Sequence, residues 1–207
     1  MSVSWTPHRF SGGVLALDTA NTVVLRGDAR SFDRFADPAE IARFARAASV
    51  HRAAELGGRR LAVPEPEAIA PVVLDIRETT DRLFRNAVSA GGVGTADMPP
   101  FLRACATGLE DKAEEIGRPG KPFGDPAVPI AFEAALAVSA LSLLGEGMLA
   151  RLRICPNCNW LFLDRSRNAS RLWCDMAVCG NRRKASRHYH RRVRATSDGT
   201  EREVGNV

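Results

Sequence analysis

Lysine is nearly absent from this chain of 207 residues: three lysines (Lys112, Lys121, Lys184) stand among 29 basic residues. Arginine is the default cation everywhere, so only its clustering is informative. Cysteine is scarce too, at five residues. The opening MSVSWTPHRFSGG has no basic segment followed by an apolar run, so no secretory signal is expected. The longest apolar stretch, residues 130–144, carries Glu133 and is too short and too polar to span a bilayer. HExxH, GxSxG, Walker A and GxGxxG are all missing, as are internal repeats and low-complexity tracts. These absences favour a soluble, cytoplasmic protein and leave little support for an enzyme. In that compartment thiols stay reduced, so clustered cysteines point to metal or redox chemistry rather than to disulfides.

What is present is unevenly spread. Hydrophobic residues make up 45% of the chain, enough for a buried core. Residues 1–150 hold 16 basic and 19 acidic side chains, residues 151–194 hold 12 and 2, and residues 195–207 hold 1 and 3. A mildly acidic body therefore carries a strongly basic module, which suggests a polyanionic partner, most often nucleic acid. The domain organisation expected is a body over 1–150, a module over 151–194 and a flexible tail over 195–207.

The body reads as α+β, mainly helical, with a small sheet. GGVLALDTANTVV favours a helix over 14–23, with a strand turning into a helix as the alternative. Asp37-Pro38 opens a second helix, with Asp37 as cap and Ile41, Phe44, Ala45 and Ala48 at helical spacing. Gly57-Gly58 ends it near Leu56. Val72, Ile76, Thr79, Thr80, Leu83, Phe84 and Ala87 hold a 3.6 period, so a long helix is expected over 68–90, stopped by Gly91-Gly92. Asp97 caps a further helix carrying Phe101, Leu102 and Cys105. Residues 110–129 are rich in Gly and Pro and read as an irregular connection. Residues 130–144 form a helix apolar on most sides, and so central. Cys105 is a small buried hydrophobe with no neighbours that would activate it.

Four cysteines fall within 25 residues, as Cys155-x2-Cys158, fifteen residues, then Cys174-x4-Cys179. A CxxC turn lets two thiolates converge on one ion, and a second pair completes a tetrahedral shell. A lone CxxC would fit a redox dithiol equally well; the second pair favours one structural zinc held by Cys155, Cys158, Cys174 and Cys179. A closed shell of four thiolates leaves no open catalytic position. The segments before and after CPNC read as a strand and a returning strand, Trp173 covers the site, and a helix starts at Gly180-Asn181. Hairpin plus helix amounts to a treble-clef-like finger. A ligand role for His188 or His190 would need more donors than the site has positions. Arg182, Arg183, Lys184, Arg187, Arg191 and Arg192 line the helix, and Arg165, Arg167 and Arg171 come from the loop. Guanidinium groups match phosphate oxygens bidentately, so these nine are the candidate nucleic-acid contacts.

The module resembles the CGNR zinc finger. It has Cys155-Pro156-Asn157-Cys158, Trp160-Leu161-Phe162-Leu163-Asp164, Ser166-Arg167-Asn168, Arg171-Leu172-Trp173-Cys174 and the tetrad Cys179-Gly180-Asn181-Arg182. In that family an ABATE domain usually precedes the finger, and residues 13–150 resemble it more loosely through LALDTANT and the apolar helix. The resemblance implies an α/β N-terminal domain, a ligand sensor in this reading, and a stress-linked transcription regulator. It carries the four cysteines over as zinc ligands and Arg182 as part of the basic face. Gly180 and Asn181 read as a tight turn and a helix cap.

The expectation is a DNA-binding transcription regulator whose N-terminal domain senses a small effector or a partner. RNA binding through the same face is the alternative, although Trp160, Phe162, Trp173 and Tyr189 read better as a miniature core than as base-stacking platforms. An enzyme using Asp18, Asp75, Glu78 and Asp81 is less favoured, and the zinc as a mere staple in a protein-interaction module is a further reading.

Overall fold

The fold is described from a computed structural model, for residues 3–112, 123 and 127–183. Among the described residues five α-helices form the body: α1 (Leu15–Ala20), α2 (Ala39–His51), α3 (Pro66–Ala90), α4 (Met98–Leu109) and α5 (Phe132–Ser142). Three two-stranded sheets accompany them among the described residues. β1 (Val23–Val24) and β2 (Phe32–Asp33) are antiparallel, β3 (Leu61–Ala62) and β4 (Ile130–Ala131) parallel, and β5 (Leu152–Ile154) and β6 (Leu161–Leu163) antiparallel. The expected mainly helical body with small sheets is what forms.

α5 is the central element. Its apolar residues surround the helix, and Phe132, Ala134, Ala135, Leu136, Ala137 and Ala140 are all fully buried. Small side chains allow close packing, and Gly108 of α4 completes it. A Cβ there would lie 3.0 Å from the Glu133 carbonyl oxygen and 2.7 Å from Ile76 Cδ1. The aromatic part of the core runs through Phe44, which meets Phe132 and Phe35 edge-on. Phe84 and Phe101 meet edge-on across α3 and α4. Ile41, Phe44, Ala45 and Ala48 are buried as the helical period required. α3 stops where expected, at Gly91 with φ 77°, a left-handed conformation that glycine adopts at no steric cost.

Several boundaries differ from the sequence reading. α1 is six residues, not ten, and Val23 lies in β1. The β-branched run Thr22-Val23-Val24 favours extended backbone, and the Asn21 side chain is drawn away to the finger. α2 ends at His51, and turns lead on to Gly57 and Gly58, both at positive φ. Ile130 and Ala131 pair with β3 before α5 begins, because the Ile130 N–H donates to the Arg60 carbonyl at 2.9 Å. Asp37 does cap α2, accepting from the Ala39 N–H at 2.9 Å. Asp97 stands at the N-cap of α4 as expected, but its carboxylate accepts from the Asn86 amide at 2.7 Å and pairs with Arg82 rather than bonding the helix's own N–H groups. Most of the Gly/Pro-rich connection lies outside the described residues.

Leu152, Leu161 and Leu163 of the β5–β6 hairpin are buried in the same cluster as the body's helices. The N-terminal segment fixes this join. Gly12 accepts from the Leu163 N–H at 2.8 Å. Gly13 sits at φ 98°, where a Cβ would come within 3.1 Å of Leu163 Cβ. Only glycine lets the backbone approach β6 this closely.

Candidate metal centre

β5 and β6 are joined by the CPNC knuckle. The Cys155 N–H donates to the Trp160 carbonyl, and the Asn159 N–H to the Cys155 carbonyl, both at 2.9 Å. Asn159 closes the turn at φ 61°, a left-handed conformation that Asn tolerates better than most residues. The knuckle is tied to α3: Arg85 donates to the Asn159 carbonyl at 3.0 Å. Behind it, Cys155, Trp160, Phe162, Cys174 and Cys179 form a small core of their own, with Trp173 packed on it as the covering ring.

The sulfur atoms of Cys155, Cys158, Cys174 and Cys179 all lie within 4.8 Å of one another. Cys158 and Cys174 are 3.5 Å apart, and Cys174 and Cys179 3.7 Å. A tetrahedral ion with Zn–S bonds of about 2.3 Å places its sulfurs about 3.8 Å apart. Four soft donors at this spacing, three of them buried, hold one metal ion, and the set fits a structural zinc. The protons reflect the crowding. Hydrogen bonds from Cys158 and Cys174 hold the Cys155 thiol far below its usual range. The same bonds push Cys158 up, and Cys174 up to about 12. Binding a dication displaces these protons. The fifth cysteine, Cys105, is buried and pushed up to about 12 by that burial, as an inert core thiol should be.

Two acids, the only ones in the basic segment, brace the centre. Asp164 is fully buried and accepts from the Ser166 N–H at 2.9 Å and the Arg171 N–H at 2.7 Å, pinning the 165–170 loop. Burial pushes its carboxyl up, and the hydrogen bonds led by Ser166 outweigh this, so it titrates below the usual range. Asp175 caps a single helical turn, Met176–Gly180, accepting from the Ala177 and Val178 N–H groups. Its other oxygen lies 2.8 Å from His8 Nδ1. A helix begins at Asn181 as expected, but Asn181 does not cap it with its side-chain oxygen: its amide donates back to the Ala177 carbonyl at 3.0 Å. Gly180 makes no left-handed turn; a Cβ there would press on Met176 and on Trp173 at 3.3 Å.

The arginines divide into two sets. Arg151 donates to the carbonyls of Asp164 and Ser166, and Arg153 to those of Ala150 and Leu152. Arg171 donates to the Cys174 carbonyl and lies 5.4 Å over the Phe162 ring. These three brace the module, and Arg171 is exposed as well. Arg165, Arg167, Arg182 and Arg183 are exposed. Lys184, Arg187, Arg191, Arg192, Tyr189 and both late histidines lie outside the described residues, as do most of the expected helix and the tail. The carboxylates weighed for catalysis are mostly paired: Asp18 with Arg52, Glu78 with Arg26 and Arg77, Asp81 with Arg85.

A four-cysteine metal centre on a β-hairpin, with surface arginines around it, defines a zinc finger. Residues 151–192 match the CGNR zinc finger family, a span that includes all four cysteines. A zinc finger of this kind suggests nucleic-acid binding. No curated protein and no solved structure matches the chain. No described helix is long and apolar enough to cross a membrane.

Proposed function

We propose that the protein is a DNA-binding transcription regulator. The zinc-stapled module grips the phosphate backbone, and residues 1–150 act as an ABATE-like domain that senses an effector or a partner in a stress response. The observation that carries this reading is the division of labour among the arginines. Arg151, Arg153 and the still exposed Arg171 donate to carbonyls within the module, while Arg165 and Arg167 on a loop pinned by Asp164, and Arg182 and Arg183 just after Cys179, face solvent. Cationic forks on a rigid frame suit phosphates, which set affinity and register rather than sequence choice. Duplex DNA is favoured over single-stranded RNA because Trp160 and Phe162 are buried and Trp173 packs on the cysteines, which leaves little for stacking bases. The role is binding rather than catalysis, since a closed four-thiolate shell offers no open metal position.

The test is binding of the zinc-loaded protein to duplex and single-stranded probes of equal length over a salt series. Tighter, salt-steep duplex binding supports the reading. Tighter single-strand binding moves it to RNA, and no binding at low salt removes nucleic acid altogether.

A further inference from the structure

Buried arginines in this fold are normally well used. Arg77 donates to both oxygens of Asp33 at 2.7 Å and to Glu78 at 2.8 Å. Arg59 donates to the carbonyls of Phe123, Val128 and Pro129. Arg34 breaks the pattern. It is only 6% exposed, and the one hydrogen bond of its guanidinium among the described residues is to the Asn21 carbonyl at 3.2 Å. Its guanidinium otherwise lies against rings, 5.4 Å from the Trp160 centroid and 5.7 Å from that of Phe32. No carboxylate pairs with it among the described residues. Its chain neighbour Asp33 is already held by Arg77 and the Phe35 N–H.

The charge that Arg34 does feel is another arginine. Burial and then repulsion from Arg9 lower its pKa to about 10. Arg9 is half-buried and has no ion pair among the described residues, and its Nε–H is buried with no partner. The Trp160 Nε1–H is likewise buried and unpartnered among the described residues. His8, on the same turn as Arg9, stacks on Trp160 at 5.4 Å. Arg34 from the residue after β2 and His8 from the N-terminal turn both lie against Trp160 of the finger core, and Arg9 follows His8 in the chain, so underused donors of three elements lie in one neighbourhood. Two of them carry positive charge. Unpaired buried donors and like charges in a low-dielectric site both cost stability. What would relieve both is a ligand with several acceptor oxygens and negative charge.

We infer that Arg9, Arg34 and Trp160 form a binding site for a phosphate group. Two guanidinium forks and an indole N–H, approaching from three separate elements, suit a tetrahedral oxyanion better than a planar carboxylate. The phosphate comes either from a nucleic-acid backbone or from a small phosphorylated effector. Because Trp160 packs with Cys155 and Cys174, occupancy on the body's side is sensed directly by the finger's core.

The test uses the full-length, zinc-loaded chain and inorganic phosphate, titrated at constant ionic strength against chloride and followed by tryptophan fluorescence and melting temperature. Saturable binding is expected in the wild type, weakened at least tenfold in Arg9→Gln and in Arg34→Gln. Arg34 is buried and its variant can fail to fold, so Arg9→Gln decides. In phosphate-free buffer Arg9→Gln should melt at or above the wild-type temperature, because it relieves the repulsion. No phosphate effect beyond chloride, unchanged affinity in Arg9→Gln, or a lower melting temperature for that variant overturns the site. Duplex DNA separates the sources. Reduced duplex affinity in Arg9→Gln, with inorganic phosphate competing, identifies the backbone; unchanged duplex affinity with lost phosphate binding identifies a small effector. The phosphate titration does not depend on the protein binding nucleic acid at all.

Discussion

Asn21 and Leu161 hold each other by both ends: the Asn21 amide donates to the Leu161 carbonyl at 2.8 Å, and its Oδ1 accepts from the Leu161 N–H at 3.0 Å. One buried side chain at the end of α1 thereby mimics a strand beside β6 and docks the finger on the body. Asn21→Ala leaves both backbone groups of Leu161 unsatisfied and should cost roughly 2–4 kcal/mol in urea unfolding. Asn21→Asp sets a carboxylate oxygen against a carbonyl and should cost at least as much. A loss below about 0.5 kcal/mol for both variants would mean that the docking bonds carry no weight.

The metal is expected to supply folding free energy to the module. Zinc analysis should give one ion per chain, and Cys174→Ser should abolish stoichiometric binding. Chelation should collapse the near-ultraviolet circular dichroism of Trp160 and Trp173, which pack on the cysteines. The helical body, whose core lies mostly in α1–α5, should keep most of its far-ultraviolet signal. A zinc-free protein with an unchanged tryptophan environment would contradict the staple role.

Arg167→Gln and Arg171→Gln should fail in different ways. Arg167 is exposed, so its loss should weaken DNA binding across sequences and reduce the salt slope by about 1, with stability unchanged. Arg171 braces the Cys174 carbonyl and covers Phe162, so its loss should lower stability and zinc affinity first. Identical effects from the two would erase the distinction between contact and brace.

Asp18 is buried, accepts from the Gly12 N–H at 2.8 Å and from Arg52 Nε at 2.5 Å, and titrates at about 7 because burial outweighs the arginine. Its folded pKa is raised, so its contribution to stability is fully present below the unfolded value near 4 and is lost as pH rises through 7. Relative to Asp18→Asn, which does not titrate, the wild type should lose roughly 2–4 kcal/mol between pH 4 and pH 7. Taking the difference cancels the pH dependence of zinc binding, which both proteins share. A difference constant over that range would contradict the raised value.

Local signals in the sequence were sufficient for some of this. Two cysteine pairs, a 3.6 period ending in Gly91 and an apolar stretch around α5 each report on neighbours along the chain. The long helix and the metal centre were legible for that reason. The split among arginines was not. Arg151, Arg153 and Arg171 look identical to Arg165 and Arg167 in composition, and only the folded positions of the Asp164, Ala150 and Cys174 carbonyls tell them apart. Asp164 and Asp175 were findable as the two acids amid twelve cations, a rarity that marks them as partners. Asn21 and Gly12-Gly13 gave no such sign, because their partners lie about 140 residues or more away.

The most direct measurement is the affinity of the zinc-loaded protein for duplex DNA as a function of salt. Arg165, Arg167, Arg182 and Arg183 predict a log–log slope of about −3 or steeper, abolished by chelation and by Cys174→Ser. A flat salt dependence, or no affinity at low ionic strength with zinc fully bound, would contradict a nucleic-acid role for the finger.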